Sequence, residues 1–385
     1  MSATPNVPLL DINRENAPLR EEFLEAIAEV IDSGRYLFGP DVKDFESEIA
    51  ETCQVKHAVS CASGSDALLL SMMALDIGPG DEVIVPSFTF FASVSCITRV
   101  GATPVFVDIC PDTFNLDPQC LSAAITPNTR AIIPVHLFGQ CAQIDRICQI
   151  ASEHDLPVIE DAAQAIGAAY HSRPAGSWGL AGCFSFYPTK NLGGMGDGGM
   201  LTSGDEAMAD RLRLMAGHGM RPRYYHQVVG INSRLDTFQA AVLRIKLRHL
   251  AEVIQSRTKI AGRYKVLLDE AGLVTTEQVT LPSEDPNAYH VWNQFGIRVG
   301  EGRRDALRTH LADHGIGSEI YYPVPMHRQQ CFEFLAVDAD SLPATERASA
   351  EILNLPIFPT LTEEEQAHVV RTIDSFYRAG AKQAA

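Results

Sequence analysis

Pro157-Val158-Ile159-Glu160-Asp161-Ala162-Ala163-Gln164 reads as a short apolar strand that ends in two acids and a run of small residues. Five more runs of this kind, at 82–86, 104–108, 131–135, 183–186 and 199–202, alternate with segments of helical period at 66–76, 89–99, 141–154 and 205–216. The runs are apolar almost throughout, the pattern of strands covered by helices on both faces. The expected fold is therefore α/β, a three-layer sandwich around a mostly parallel sheet. In such sheets ligands lie at the carboxyl ends of the strands, which makes Asp161 the better candidate of the two acids. The plainer alternative is that one acid caps the next helix while the other is solvated.

Beyond this region the signal changes. From Leu235 to about Glu270 the chain has a charge-studded helical pattern with no internal Pro or Gly before Gly262, expected to bridge two domains. After Pro282 it reads as α+β, with strands at 291–299 and 318–321, a helix at 303–314 and a terminal helix after Thr362. The expected division is a large domain over 1–260, including an N-terminal segment, and a smaller C-terminal α+β domain over 261–385.

Composition narrows the function. With 31 basic and 48 acidic side chains the net charge is −17, so nucleic acid and anionic membrane are poor partners. A small anion remains compatible, because a local group of donors can outweigh a distant net charge. The 9 cysteines contain no C-x-x-C pair and several lie in apolar runs, as expected of reduced, buried thiols in a cytoplasmic protein. The opening Met-Ser-Ala-Thr-Pro-Asn-Val-Pro has neither a basic region nor an apolar one of signal-peptide length, and no later run is long enough to span a bilayer. Export by that route and membrane insertion are not expected.

Three motifs carry chemistry. Cys61-Ala62-Ser63-Gly64-Ser65-Asp66 leads straight into a strong helix, which places free N–H groups and the positive dipole end where an anion can sit; an ordinary N-cap would look the same. Asp161 ends its strand. Lys190, one of only seven lysines, follows Cys183-Phe184-Ser185-Phe186-Tyr187-Pro188-Thr189 and precedes Asn191-Leu192-Gly193-Gly194-Met195-Gly196-Asp197-Gly198-Gly199. In that apolar, glycine-rich setting desolvation favours a neutral, nucleophilic amine. The glycines follow the lysine and precede a strand, so neither a P-loop nor a dinucleotide fingerprint is present. A phosphate cradle, a carboxylate for a pyridine nitrogen and an amine for a Schiff base are together what pyridoxal 5′-phosphate (PLP) requires. His218 and His226 show no metal-ligand spacing and no metal is expected. Met72 and Met73 read as core filler.

At these residues the sequence resembles the DegT/DnrJ/EryC1/StrS sugar aminotransferase family, within the fold-type I PLP enzymes. The likeness runs from Ser33-Gly34-Arg35-Tyr36 and Phe38-Gly39-Pro40 to Leu355-Pro356 and Pro359. It is densest at Gly78-Pro79-Gly80-Asp81-Glu82-Val83-Ile84-Val85-Pro86-Ser87-Phe88-Thr89-Phe90, Glu160-Asp161-Ala162-Ala163-Gln164, 185–199 and Gly230-Ile231-Asn232-Ser233-Arg234-Leu235-Asp236.

The resemblance implies that Lys190 forms the Schiff base and shuttles protons, Asp161 pairs with the pyridinium nitrogen, and Phe90 stacks on the ring. It further implies that Gly64, Ser65 and Ser185 contact the phosphate, while Asn232 reaches it from a neighbouring subunit, hence a homodimer. Gln164 stands where relatives acting on 3-keto sugars carry Gln and those acting on 4-keto sugars carry His. That favours amination at C-3 of a nucleotide-linked keto-sugar, with L-glutamate as donor.

Tyr36, Tyr322, His327 and Arg328 are the implied substrate contacts. Ser65 and Arg328 depart from the family's usual Thr and Leu; an exposed loop Arg is also often simply solvated. Two other readings stay open. A PLP-dependent sugar dehydratase of this fold would carry His at position 190, and a regulatory relative would keep the fold without turnover.

Overall fold

The computed structural model describes residues 6–384. The first part of the chain supplies β1 (His57–Cys61), β2 (Glu82–Pro86), β3 (Thr103–Val107), β4 (Thr129–Ile132), β5 (Ile159–Asp161), β6 (Ala169–Tyr170), β7 (Arg173–Pro174), β8 (Ala181–Ser185) and β9 (Gly199–Ser203). β3, β2 and β4 form one parallel ladder, and β5, β8, β9 and β1 form another group. Parallel bridges from Ile132 to Val158 and from Val135 to Asp161 join the two groups. The order across the composite sheet is therefore β3-β2-β4-β5-β8-β9-β1, and β9 alone runs antiparallel to its neighbours.

Both faces are dry, which is why the strands read as continuous apolar runs. On β2, Val83 and Val85 face the layer built by helices Gly64–Ala74, Ala92–Arg99 and Glu206–Ala216, while Ile84 faces the layer of Pro40–Thr52, Ile144–Glu153 and Thr237–Arg248. Met72 is fully buried in the first layer and Met73 packs against it.

Register sets the position of the site. Asp161 at the end of β5 lies opposite Cys183 of β8, Ser185 at the end of β8 pairs with Gly199, and Gly199 pairs with Cys61 at the end of β1. The carboxyl ends of three strands thus converge near the start of β9, and these ends with the turns after them carry Ser63, Asp161 and Lys190.

The helical stretch expected as one element is two helices, Thr237–Arg248 and Leu250–Glu270, hinged at His249. The second contributes Leu250 and Ile254 to one core cluster and Ile260, Ala261, Tyr264 and Leu268 to another, so this one helix bridges the two cores. Beyond it, β10 (Ala288–Tyr289) pairs with β6, and β11 (Phe295–Arg298) pairs antiparallel with β12 (Ile352–Leu355). The strand expected at 318–321 is a single bridge from Glu319 to Asn354. Helices Arg304–Asp313, Pro343–Glu351 and Glu363–Ala384 complete this part. Among the described residues no helix is long and apolar enough to cross a membrane, and all 9 cysteines are free.

Candidate active site

A cavity of about 450 Å³ opens at the converging strand ends, and Gly64, Ser65, Phe90, Asp161, Gln164, Ser185, Lys190 and Tyr322 all line it. Residues separated by more than two hundred positions in the chain thus meet on one wall.

The anion end is built from the turn after β1. Ser63 caps helix Gly64–Ala74, its Oγ accepting the Asp66 N–H at 3.1 Å. The N–H groups of Gly64 and Ser65, in the first turn, have no intrahelical acceptor and remain for a ligand. A side chain at 64 is excluded, since a Cβ there would sit 2.7 Å from the Cβ of Ser185. The close approach of this turn to the end of β8 brings the helix N-terminus and the Ser185 hydroxyl to one spot.

The two acids of the opening stretch behave differently from the plain expectation: neither caps the next helix and neither is solvated. Glu160 is fully buried and structural, accepting the N–H groups of Gly176 at 2.7 Å, Trp178 at 2.7 Å and Gly179 at 2.8 Å. It also takes a bond from His136, whose Nδ1 accepts the Ala142 N–H and whose Nε2–H therefore points at Glu160, 2.9 Å away. Asp161, on the opposite side of the strand, faces the cavity and is 4% exposed. Burial pushes its carboxyl above the usual carboxylate range, while bonds from the Ser93 hydroxyl at 2.6 Å and the Ala163 N–H at 3.1 Å, and the Lys190 charge, pull it back.

Lys190 follows β8 on a turn closed by its own N–H to the Tyr187 carbonyl at 2.9 Å. Burial brings its ammonium down to about 8, against an opposing pull from Asp161. The amine lines an open cavity, so it is desolvated by the wall yet reachable from solution. Gln164 is held at both ends: its Oε1 accepts the Phe138 N–H at 2.6 Å and its Nε2 donates to the Tyr322 hydroxyl at 3.3 Å. Phe90 is 55% exposed and its ring lies 6.0 Å from that of Tyr322.

Other expected contacts lie elsewhere. His327 is buried with Nδ1 2.7 Å from the Ser87 Oγ, and Arg328 donates from Nε to Glu346 at 2.5 Å; neither lines the cavity. Tyr36 stacks on Phe238 at 5.6 Å, away from the cavity. Asn232 is exposed beside a bridge to Gly217, and His218 is likewise outside the lining. The sequence reading passed over Thr89, Ala163, Tyr187, Gln294 and Tyr321, which line the cavity, and Ser93, which stands behind Asp161. Only the four-residue spacing of Thr89 and Ser93 hinted that two hydroxyls share a face.

These residues fit PLP. The Gly64 and Ser65 N–H groups with the Ser185 hydroxyl beside them suit its phosphate, Lys190 suits its aldehyde, and the buried Asp161 suits its ring nitrogen.

Comparison with known proteins points the same way. A "Pleiotropic regulatory protein" of Geobacillus stearothermophilus is 47% identical over 373 residues, covering 97% of this chain and 99% of that one. The "dTDP-3-amino-3,4,6-trideoxy-alpha-D-glucose transaminase" of Streptomyces venezuelae is 45% identical, covering 97% of this chain and 96% of the relative. The crystal structure of S. venezuelae DesV in complex with a ketimine intermediate superposes with a TM-score of 0.92 at 45% identity, covering 97% of this chain and 99% of that one. With the family's sequence profile matching residues 18–374, the chain belongs to the DegT/DnrJ/EryC1/StrS aminotransferase family.

Proposed function

We propose that this aminotransferase holds PLP on Lys190 and moves an amino group from L-glutamate to the keto group of a nucleotide-linked sugar, at C-3. The observation that carries the reading is the meeting, in one cavity, of a neutral-leaning lysine, a buried carboxylate and a helix N-terminus whose Gly64 and Ser65 N–H groups have no intrahelical acceptor. When bound, PLP supplies an aldehyde that takes up the amine and a ring that accepts the electron pair released at carbon. The chain's own groups do the rest. Gly64, Ser65 and Ser185 bind the phosphate, Phe90 covers the ring, and Asp161 holds a proton on the ring nitrogen. Lys190, low in pKa, takes a proton from substrate carbon and returns it. Gln164, fixed by Phe138 and Tyr322, would offer its remaining amide N–H to the cofactor.

Amination at C-3 draws support from Gln164 and from the Streptomyces relative, whose name places the nitrogen there. C-4 is the competing position. A second reading is a regulatory protein that keeps the fold without turnover, and the Geobacillus relative is named as a regulatory protein; the assembled lysine and carboxylate favour catalysis. We read Asn232, exposed and outside its own chain's cavity, as a contact to a partner's phosphate in a cytoplasmic homodimer. Tyr36, outside its own chain's cavity, is read as a substrate contact made in the partner's site. Tyr322 faces the sugar. His327 and Arg328 act through the loop they anchor. We place the division between the two domains near residue 260.

The test is a half-reaction. Glutamate added to the PLP-loaded protein should convert it to the pyridoxamine form, and a panel of 3-keto and 4-keto sugar nucleotides should then reoxidise it with the 3-keto class fastest. Absorbance inert to every amine donor would favour the regulatory reading, and faster turnover of 4-keto sugars would move the site of amination.

A further inference from the structure

Asp161 has two oxygens, and each accepts a hydrogen bond from the protein. Oδ1 accepts the backbone N–H of Ala163 at 3.1 Å, and Oδ2 accepts the hydroxyl of Ser93 at 2.6 Å. A hydroxyl carries a single hydrogen and a carboxylate carries none, so the Ser93 hydrogen is committed to Asp161. The 2.9 Å contact between Thr89 Oγ1 and Ser93 Oγ then has one possible direction, with Thr89 donating. The result is a one-way relay from Thr89 through Ser93 to Asp161. Ser93 is 0% exposed and Thr89, at the cavity wall, 1%, so both bonds are shielded from bulk water.

Hydroxyls at the start of a helix usually bond to their own backbone. Ser93, in the first turn of Ala92–Arg99, instead reaches across to the end of β5, 68 residues away in sequence. An uncompensated carboxylate in this place would be driven toward its protonated form by burial, and bonds donated to the charged form oppose that. The Ala163 donor is backbone and is present whatever the side chain. The relay is the part that a side chain controls.

We infer that Ser93, braced by Thr89, is a positioning residue that fixes the rotamer of Asp161 and keeps its carboxylate ionised, so that the shared proton stays on the ring nitrogen of the cofactor. The inference rests on the assignment of Asp161 proposed above. Without Ser93 the carboxylate is more basic and less fixed, and the proton moves toward it, leaving a neutral ring.

The experiment uses the full chain loaded with PLP carrying 15N in the ring, whose chemical shift reports protonation directly. Wild type and Ser93→Thr should show the pyridinium shift. Ser93→Ala should move toward the unprotonated value, with its glutamate half-reaction slowed about tenfold or more, the loss expected for one hydrogen bond to a charged group. Thr89→Val should fall between the two. A merely structural role would lower the melting temperature and leave the nitrogen shift where it was. A pyridinium signal in Ser93→Ala equal to wild type overturns the inference. Should Ser93→Ala not fold, an unmoved shift in Thr89→Val overturns it equally. A wild-type ring that is itself unprotonated removes the role proposed for Asp161 and the relay with it; a reducible adduct on Lys190 alongside an unmoved Ser93→Ala shift removes the relay alone.

Discussion

The reactivity of Lys190 can be tested before any turnover is measured, by following how the apoprotein captures an aldehyde as pH changes. Burial lowers the amine from 10.5 to about 8. At pH 7 an amine of pKa 8 is about one-tenth neutral and one of 10.5 about one part in 3,000, so burial enlarges the reactive fraction about 300-fold. The sign is fixed by the cause. Desolvation penalises the ammonium, so the neutral form gains, and capture should rise with pH through an inflection near 8 and level off above it.

Asp161 works against this, its negative charge favouring the ammonium. Asp161→Asn should therefore move the inflection lower still. The assay is stopped-flow absorbance of PLP with apoprotein from acid to alkaline pH. Each rate is divided by that of the same aldehyde with a free alkyl amine, expressed per neutral amine, which cancels the titrations of the aldehyde and of the reference amine. An inflection at or above 10, or one that Asp161→Asn raises, would refute the argument that the cavity wall desolvates this amine.

Three further outcomes follow from particular contacts. Gly64→Ala drives a Cβ to 2.7 Å from the Ser185 Cβ, an overpacking of about 1–3 kcal/mol; it should show first as weaker PLP binding in an equilibrium titration, with a smaller change in melting temperature. Glu160→Ala orphans three backbone donors and His136 in a dry interior and should cost about 3–5 kcal/mol in denaturant unfolding, whereas Glu160→Gln should recover part of it. A thiol reagent should modify Cys331, the exposed cysteine, long before Cys61, Cys96 or Cys183, whose thiols burial holds well above their usual range; rapid modification of any of those three by mass spectrometry would contradict the packing.

The parts of the fold that sequence reveals are those where one physical effect dominates. β2, β5 and β8 are apolar because helices cover both faces, and they stand out for that reason. β1 escapes notice because His57 and Ser60 interrupt it, and Ser60 is matched by Glu46, a partner that only the folded chain supplies. β12 escapes for a similar reason, since the buried Asn354 breaks the run and helix Pro343–Glu351 passes into it with no glycine between. The break at His249 has no Pro or Gly to announce it.

The site divides in the same way. Lys190 and Asp161 are legible because a lysine in a glycine-rich apolar stretch and an acid at a strand end are unusual on their own. Ser93 is not, because a serine in a first turn has many ordinary fates and its partner is 68 residues downstream. Glu160 shows the converse: beside Asp161 it looks equally chemical, and only the alternation of side chains along β5 sends it into the interior.

The most direct measurement is chemical trapping. PLP-loaded protein reduced with sodium borohydride and digested should yield one pyridoxyl-modified peptide, with the label on Lys190 among the seven lysines, and Lys190→Ala should yield none while retaining the wild-type circular dichroism. A label on another lysine, or no label on folded wild-type protein, would contradict the account.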